Sequence, residues 1–263
     1  MSIRDVLERH RRGELSDAEA EKLLKLDFLE SISSHTVFDH AREARRGIPE
    51  VVFGETKSPE VVADIVSRVM ADREILLISR ASPEHLSAVK RKAKGMKVTY
   101  VEEARMVIID KSRAKGKHGR IGVLAAGSSD VGVAEEARVV AEAMGCEVLT
   151  AYDVGVAALH RVLEPVKRMV DEGVDALVVV AGMEGALPTV VSGLTDVPVI
   201  GVPTSVGYGY GAKGEAALMG MLQSCSPGLA VVNIDNGVGA GAIAALISRR
   251  CNHDQSKGKE QGI

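Results

Sequence analysis

The stretch Ala176-Leu177-Val178-Val179-Val180-Ala181-Gly182-Met183-Glu184-Gly185 decides the fold class of this chain. Six consecutive apolar residues without polar alternation are typical of a strand that is buried on both faces, as the strands of parallel sheets are. Two glycines then flank Met183 and Glu184, so a turn that carries a carboxylate follows the strand directly. The stretch therefore predicts a parallel sheet with a charged group at the end of one strand.

Four further apolar runs in the second half of the chain have the same character. Regular alternation of buried strands with helical patterns predicts a three-layer, doubly wound α/β domain around a parallel sheet. We predict the strands at residues 121–126, 147–151, 176–181, 197–202 and 229–234, and the helices near 131–144, 155–172, 184–193, 213–224 and 238–250.

The first half of the chain predicts a smaller α/β module. Residues 1–30 have a helical pattern, and Ser16 with Glu19 forms a capping box within it. Ser58-Pro59 and Ser82-Pro83 each predict the start of a helix. Strand-like apolar runs occupy residues 51–53, 75–78, 98–101 and 106–109.

The segment from Lys111 to Arg120 is basic, polar and glycine-bearing, which is typical of a solvated linker, although a phosphate-binding role is the alternative. We therefore predict an N-terminal α/β module at residues 1–118, a catalytic domain at 119–251 and a polar tail at 252–263.

Composition limits the classes of function. The chain has 263 residues and a net charge of −3, which argues against nucleic-acid binding. Its first residues lack the apolar core of a signal peptide. Asp235 and Asn236 interrupt the longest apolar stretch, so we expect no membrane span. Three cysteines without a disulfide pattern favour a reducing compartment, the cytoplasm.

The predicted strand ends carry residues suited to a ligand, because ligands of open α/β sheets bind beyond the carboxyl ends of the strands. Gly127, Ser128, Ser129 and Asp130 follow the first strand and open a helix, whose N-terminus favours a phosphate or carboxylate. Capping of that helix by Ser129 or Asp130 is the simpler alternative.

The next two strand ends add charged groups. Asp153 follows the second strand, and His160 and Arg161 lie on the helix after it, where a guanidinium would suit a phosphate or carboxylate. Gly182 and Glu184 follow the third strand. Glu184 would serve as a general base or would complement the dipole of the next helix.

Glycines dominate the loop after the fourth strand, which includes Lys213. Gly209 to Gly214 fits a GxGxxG pattern, and Asp235 follows at the spacing of a ribose-binding acid, so a dinucleotide-binding oxidoreductase is an alternative. Because the glycines do not follow the strand directly, a mobile loop over a ligand suits them better. Asp235 and Asn236 at the fifth strand end would bind substrate or cap a helix.

Cys225 lies in the run Leu222-Gln223-Ser224-Cys225-Ser226-Pro227-Gly228, where a helical pattern ends and the last strand is about to begin. A thiol at such a connection is either a nucleophile or a small buried hydrophobe.

The order of these motifs over residues 119–250 resembles the 5-aminoimidazole ribonucleotide carboxylase/mutase family. The resemblance is carried by Gly127-Ser128-Ser129-Asp130, Leu159-His160-Arg161, Ala181-Gly182 with Leu187-Pro188, and Pro198 to Pro203. The chain departs from that family in the spacing of the two serines, in Val162-Leu163 after His160-Arg161, and in Cys225.

These departures are similar to a sister family, pyridinium-3,5-biscarboxylic acid mononucleotide synthase (LarB), which also has an additional N-terminal module. Three runs add to this resemblance: Phe38 to Glu50, Tyr152 to Ala157, and Asn233 to Gly237. The likeness then covers nearly the whole chain.

The resemblance implies the first step of nickel-pincer nucleotide synthesis. Nicotinic acid adenine dinucleotide is carboxylated at pyridinium C5 with CO2 or bicarbonate, and its phosphoanhydride is hydrolysed to release AMP. By motif, Cys225 is the nucleophile and Glu184 the proton-transfer residue. The implied substrate-binding residues are Gly127, Ser128, Ser129, Asp130, Asp153, His160, Arg161, Gly182, Lys213, Asp235, Asn236, Arg42 and Arg45.

The family further implies a homo-octamer without a tightly bound cofactor, and it leaves room for Mg2+ to assist phosphoanhydride cleavage. The chemistry explains the thiol, because an electron-poor pyridinium attacks CO2 only after a nucleophile has added to it. An aminoimidazole is already enamine-like and needs no cysteine. The alternatives are an aminoimidazole ribonucleotide mutase, the oxidoreductase considered above and a non-catalytic nucleotide-binding regulator.

Overall fold

The computed structural model describes residues 3–24, 29–33, 36–39, 47–71, 73–111 and 119–260. The chain divides into two compact units. The first holds Met1–Thr99 and Val107–Ser112, and the second holds Tyr100–Met106 and Arg113–Ile263.

The first half of the chain forms a small α/β structure, as the sequence predicted. Its elements are α1 (Ile3–Arg11), α2 (Asp17–Leu24), β1 (Leu29–Ser33), β2 (Thr36–Asp39), β3 (Val51–Phe53), α3 (Pro59–Val69), β4 (Ile75–Ser79), α4 (Pro83–Lys92), β5 (Lys97–Val101) and β6 (Met106–Asp110). A four-stranded sheet has the order β3-β4-β6-β5, with β3 parallel and β6 antiparallel to β4.

The predicted helix starts are confirmed by their hydrogen bonds. Ser16 and Glu19 form the capping box, with the Ser16 backbone N–H donating to Glu19 Oε2 at 2.8 Å and the Glu19 N–H donating to Ser16 Oγ at 3.3 Å. Ser58 and Ser82 accept from the first turns of α3 and α4, and a proline follows each of them. Side-chain oxygens thus satisfy backbone donors that a helix N-terminus leaves free.

The prediction of helix through residue 30 was wrong at its end, because Leu29 begins a strand. β1 pairs with β2 in an antiparallel hairpin in which Leu29 lies opposite Asp39. The second strand, Thr36-Val37-Phe38-Asp39, is rich in β-branched and aromatic residues, which favour strands.

The second unit is the predicted doubly wound domain. Its elements are β7 (Arg120–Ala125), α5 (Val131–Ala143), β8 (Glu147–Ala151), α6 (His160–Asp171), β9 (Ala176–Ala181), α7 (Ala186–Ser192), β10 (Val199–Pro203), α8 (Glu215–Leu222), β11 (Leu229–Val231) and α9 (Gly237–Glu260). The five strands are all parallel, in the order β11-β10-β9-β7-β8. This is the flavodoxin-like order.

Helices cover both faces of this sheet. Side chains of α6, α7 and α8 pack on one face in a single apolar cluster that includes Val162, Leu187 and Met221. On the other face α9 packs against α5, with Gly241 close to the Ala137 carbonyl. All six residues of β9 are buried, as expected for a strand covered on both sides.

The last strand is shorter than predicted, and the last helix is longer. β11 ends at Val231, after which single backbone bonds from Val232 to Gly201 and from Asp235 to Pro203 keep the chain beside β10. α9 continues to Glu260, through most of the polar segment that follows residue 251.

Candidate functional site at the carboxyl edge of the parallel sheet

The strand order places a topological switch point between β7 and β9. The chain leaves β7 toward β8 on one side and leaves β9 toward β10 on the other. Loops that diverge in this way open a crevice at the carboxyl edge, where ligands of such folds bind. Gly127–Asp130 follows β7 and Gly182–Gly185 follows β9, so two of the predicted turns meet at this crevice.

Asp130 is a buried carboxylate that holds these turns together, and only 4% of the residue is exposed. Its Oδ2 accepts a hydrogen bond from the Gly127 N–H at 3.0 Å. Its Oδ1 accepts one from Thr204 Oγ1, just past β10, at 2.7 Å. The carboxylate makes no cap bond to α5, so the capping alternative does not explain Asp130. Buried charge-assisted bonds of this kind fix loop geometry.

Gly182 is required by the same cluster. A Cβ there would lie 2.4 Å from the Val206 carbonyl oxygen and 2.7 Å from Thr204 Oγ1, which is closer than real Cβ atoms come. The turn after β9 can therefore approach the turn after β10 only with glycine at this position. Ser128 and Ser129 form a short 3-10 turn with Asp130 and stay exposed, so their hydroxyls are available at the mouth of the crevice.

Glu184 is exposed while its backbone is fixed. Its carbonyl oxygen would lie 2.5 Å from a Cβ at Gly220, so α8 packs directly on this turn. Gly185 is the N-cap of α7, and the first turn of that helix carries no acidic residue. Glu184 therefore lies just before the N-cap of α7 and not within its first turn.

The loop after β8 carries a second anchored carboxylate. Asp153 Oδ2 accepts from Arg161 Nη1 at 2.9 Å, and the same nitrogen donates to the Asp153 carbonyl at 3.0 Å. Asp153, which was predicted to bind the substrate together with Arg161, thus holds Arg161 against this loop. His160 is the first residue of α6 and is exposed.

Tyr152 and Glu135 support the same loop, although neither was among the residues predicted for the site. The Tyr152 hydroxyl donates to Glu135 Oε1, and Arg138 donates to both oxygens of that carboxylate, at 2.8 and 2.6 Å. Burial raises the pKa of Glu135, but the bonds from Arg138 and Tyr152 outweigh it, and the net pKa lies below the ordinary value. Burial and the Glu135 bond raise the pKa of Tyr152.

The loop after β10 is anchored at both ends. Near its start, the Ser205 N–H donates to Asp235 Oδ1 at 2.8 Å, so Asp235 holds this loop from the end of β11. At its far end, a Cβ at Gly214 would lie 2.7 Å from the Thr204 carbonyl. Lys213 next to it is exposed. Asn236 Oδ1 accepts from Gly239 N–H at 2.9 Å and so caps α9.

The glycine pattern at residues 209–214 does not form a dinucleotide-binding turn. Such a turn links the first strand of the sheet directly to its helix. Here the pattern forms a 3-10 segment five residues beyond β10, the fourth strand of the domain. The strand order is also flavodoxin-like, so the oxidoreductase alternative loses the geometry on which it depended.

Backbone strain is concentrated at this edge of the sheet. Among the residues that the structure describes, six non-glycine residues have a positive φ, and four of them lie in loops at the carboxyl ends of strands in the second unit: Asp153, Met183, Lys213 and Asp235. Side chains other than glycine rarely adopt this left-handed conformation, and such residues cluster at functional sites.

The structure places Cys225 away from the crevice. Glu184 precedes α7, whereas Cys225 follows α8, and the two helices run parallel on one face of the sheet. Ser226 Oγ lies 3.8 Å from the position that a Cβ on Gly193 would occupy, so the Cys225 loop lies near the C-terminal end of α7. With seven residues in α7, the two predicted catalytic residues are separated along that helix by about 10 Å.

The three cysteines differ in exposure. Cys146 is buried, and burial raises the pKa of its thiol against an opposing hydrogen bond with Ser248. Cys225 and Cys251 are both exposed. The alternative that Cys225 is a buried hydrophobe is therefore wrong.

Arg42 and Arg45 lie outside the described residues. Within the described residues, no three His, Cys, Asp or Glu side chains converge as metal ligands. No helix in that part of the chain is long and apolar enough to cross a membrane.

A flavodoxin-like parallel sheet, with a crevice of anchored turns at its switch point and a smaller α/β unit before it, defines the class of this protein. The chain belongs to the AIR carboxylase family, whose model matches residues 120–259. A model of the LarB/PurE-like N-terminal domain matches residues 29–111, so the chain has a LarB-like architecture.

Relatives of known sequence agree with this assignment. An uncharacterized protein of Methanocaldococcus jannaschii is 43% identical over 252 residues, which cover 94% of this chain and 97% of that protein. A probable N5-carboxyaminoimidazole ribonucleotide mutase of Methanothermobacter thermautotrophicus is 37% identical over 133 residues, 49% of this chain and 37% of the mutase. The mutase of that name from Thermotoga maritima is 30% identical over 135 residues, 49% of this chain and 74% of the mutase.

Proposed function

We propose that this protein is an enzyme that carboxylates nicotinic acid adenine dinucleotide at pyridinium C5 and hydrolyses its phosphoanhydride. The products are pyridinium-3,5-biscarboxylic acid mononucleotide and AMP, and the first of these would serve nickel-pincer nucleotide synthesis. The observation that carries the proposal is the exposed thiol of Cys225 on a chain with LarB-like architecture. An aminoimidazole carboxylase or mutase has no chemical need for such a thiol.

The thiol makes the ring a nucleophile. The Cys225 thiolate adds to C6 of the pyridinium, and the electron pair of the C6–N bond moves to nitrogen to leave an enamine. C5 of this enamine attacks CO2 and forms the new C–C bond. A base then removes the C5 proton, the aromatic ring is restored and the C–S bond breaks. A soft nucleophile that is also a fair leaving group suits both the first and the last step.

The carboxyl-edge crevice suits the mononucleotide half. Ser128 and Ser129 present hydroxyls, and the short turn that they form is held by the buried Asp130. Such a turn at the start of a helix attracts a phosphate. Glu184 is exposed at the same edge and is the base that we assign to the C5 proton.

A second copy of the chain brings Cys225 to this crevice. Within one protomer Cys225 and Glu184 lie at opposite ends of the helix pair α7 and α8, whereas C5 and C6 are neighbouring ring atoms. α8 is apolar on almost every side, yet Met219 and Leu222 are 64% and 63% exposed in the single chain. A helix of that character is normally buried. We therefore assign α8 and the Cys225 loop to a contact in the homo-octamer that the family resemblance implies.

Hydrolysis of the phosphoanhydride consumes one water and releases AMP. We assign the exposed Lys213 and its glycine loop to the AMP half of the substrate. A divalent cation such as Mg2+, bound with the substrate, would stabilise the charge on the pyrophosphate.

The direct test incubates the protein with nicotinic acid adenine dinucleotide and labelled bicarbonate, with and without Mg2+, and identifies products by mass. We expect labelled dicarboxylated mononucleotide and AMP in equal amounts. Cys225→Ser should lower carboxylation at least about a thousandfold, whereas Cys251→Ser, which changes another exposed thiol, should not lower it. No labelled product under any cation condition would refute the proposal.

The two-copy site has its own test in mixed oligomers. Cys225→Ala and Glu184→Gln are each expected to be inactive alone. Unfolding and refolding them together should restore roughly a quarter of wild-type activity, because some sites then combine an intact Cys225 with an intact Glu184 from another chain. Absence of rescue in verified mixed oligomers would place both residues on one chain.

A second candidate function is that of an N5-carboxyaminoimidazole ribonucleotide mutase. It is favoured by two relatives that bear this name and are 37% and 30% identical over 49% of this chain. Incubation with N5-carboxyaminoimidazole ribonucleotide, followed by detection of the C4-carboxylated isomer, decides between the two. Mutase turnover that survives Cys225→Ser, with no product from the dinucleotide, would establish the second function.

A further inference from the structure

Met183 occupies a backbone conformation that its side chain disfavours. It has a φ of 54° in the turn between Gly182 and Glu184. Asn and Asp can offset this left-handed conformation with local hydrogen bonds, and glycine adopts it freely, but a methionine side chain can do neither. The turn itself would accept glycine at this position. A strained methionine therefore indicates that its side chain contributes something that glycine would not.

The side chain of Met183 is not contributing to the core. The residue is 41% exposed, although its backbone is fixed by an N–H donated to the Val206 carbonyl at 3.0 Å. Its Sδ lies 3.9 Å from the position that a Cβ on Gly207 would occupy. The thioether thus stands between the turn after β9 and the loop after β10, at the mouth of the crevice and directly before Glu184.

Other exposed apolar residues adjoin Met183 at the same place. Val206 is 36% exposed and Tyr208, the residue after Gly207, is 79% exposed. The chain has only seven aromatic residues, four tyrosines and three phenylalanines, and Tyr208 leaves its ring exposed one residue beyond the Gly207 contact with Met183.

We propose that Met183, with Tyr208, forms the apolar platform that binds the pyridinium ring of the substrate, an inference that rests on the proposed function above. A polarizable sulfur and an aromatic face both attract an electron-poor, cationic ring. Ser128 and Ser129 would then hold the phosphate while Met183 places the ring beside Glu184, its neighbour in sequence. Met183 forms no bond to the ring and exchanges no proton, so it is a binding residue that determines specificity for the base.

The test separates binding of the ring from binding of the phosphate. Wild-type protein, Met183→Gly, Met183→Ala and Tyr208→Ala are titrated calorimetrically with nicotinic acid mononucleotide and with ribose 5-phosphate, which has the phosphate but no ring. The three variants should bind the mononucleotide up to about tenfold more weakly, with the affinity for ribose 5-phosphate unchanged. KM for the dinucleotide should rise accordingly, with little change in kcat.

The melting temperature distinguishes a binding role of the Met183 side chain from a structural one. Met183→Gly relieves the backbone strain, so it should melt at or above the wild-type temperature while it binds the ring more weakly. Met183→Ala keeps the strain and removes the thioether. Leu163→Ala, which truncates a 50% exposed leucine on α6, is the control and should change neither affinity nor KM.

The outcomes distinguish this inference from the proposed function. If the wild-type protein binds neither ligand and gives no carboxylated product, the proposed function fails. If the wild-type protein is active but the Met183 variants bind both ligands as it does, only the platform is refuted. A lower melting temperature or a smaller oligomer for Met183→Gly, with unchanged affinity, would mean that the side chain serves packing or subunit contact.

Discussion

Two carboxylates, one at each edge of the parallel sheet, both accept several hydrogen bonds, but they join different parts of the fold. Asp130 at the carboxyl edge accepts from Gly127 N–H and Thr204 Oγ1. Asp175 at the amino edge accepts at Oδ2 from Arg120 N–H at 3.1 Å, Ser248 Oγ at 2.6 Å and Asn252 Nδ2 at 3.2 Å. Asp130 joins loop to loop, whereas Asp175 joins the start of β7 to α9.

The two carboxylates differ in whether polar groups around them remain exposed. Around Asp130 the exposed Ser128 and Ser129 border a crevice, so the anchored turns still present free hydroxyls. At Asp175 the partners close the space, and a Cβ at Gly119 would lie 2.3 Å from Asp175, Ser248 and Asn252 alike. A hydrogen-bonded carboxylate can therefore shape a site or seal an edge, and its neighbours decide which. Substitutions at the two positions should separate function from stability.

Within this comparison of the two carboxylates, the largest expected effect is that of Asp130→Ala on turnover. The change leaves the Gly127 N–H and the buried Thr204 hydroxyl without their acceptor, so the turns at the crevice lose their shape. We expect kcat/KM for the proposed carboxylation to fall at least about a hundredfold. Steady-state assays with the dinucleotide measure this directly. Turnover near the wild-type value in a folded Asp130→Ala protein would show that the anchored turns do not form the site.

Asp175→Ala should have the opposite profile. Loss of an acceptor of three hydrogen bonds is expected to lower the free energy of unfolding by about 2–3 kcal/mol, with kcat/KM within about twofold of wild type. Urea denaturation and the same assay give both values. If Asp175→Ala lost activity at a temperature where it remained folded, the amino edge would have to belong to the site as well.

Thr204→Val sharpens the comparison at a single hydrogen bond. The substitution keeps the shape of a fully buried side chain but removes the hydroxyl that donates to Asp130 Oδ1. We expect about 1–2 kcal/mol lower stability and a several-fold higher KM. Thr204→Ser restores the hydroxyl and should recover most of KM. Equal KM values for the valine and serine variants would separate Thr204 from the site.

The sequence predicted the second unit well because buried parallel strands are recognisable from their unbroken apolar runs. It also predicted which turns would meet, since carboxyl ends of parallel strands share an edge. Thr204 was missed because no sequence pattern distinguishes a threonine that supports a site from any other buried threonine directly after a strand. Its partner Asp130 is 74 positions away in the sequence. Tyr152 and Glu135 were missed for the same reason, because their bond is a product of the fold.

The position of Cys225 shows a different limit. Motif order placed it with Glu184, and the chain does carry both residues on one face of the sheet. Their separation follows from the parallel direction of α7 and α8, which a list of motifs does not contain. Sequence therefore identifies the chemical groups of a site more readily than it identifies the distances between them.

The smallest expected effect concerns pH and the loop after β8. Glu135 has a folded-state pKa below its ordinary value, so its contribution to stability is present above the unfolded pKa and is lost as pH falls through the folded one. The stability difference between wild type and Glu135→Gln should be about 1 kcal/mol at pH 7 and should shrink below about pH 4. Glu142→Gln is the matched control, because Glu142 pairs with the same Arg138 but is 45% exposed, and it should change stability by less than about 0.5 kcal/mol. Denaturation at a series of pH values measures both variants, and a difference for Glu135→Gln as large at pH 3 as at pH 7 would mean that packing, not charge, stabilises this loop.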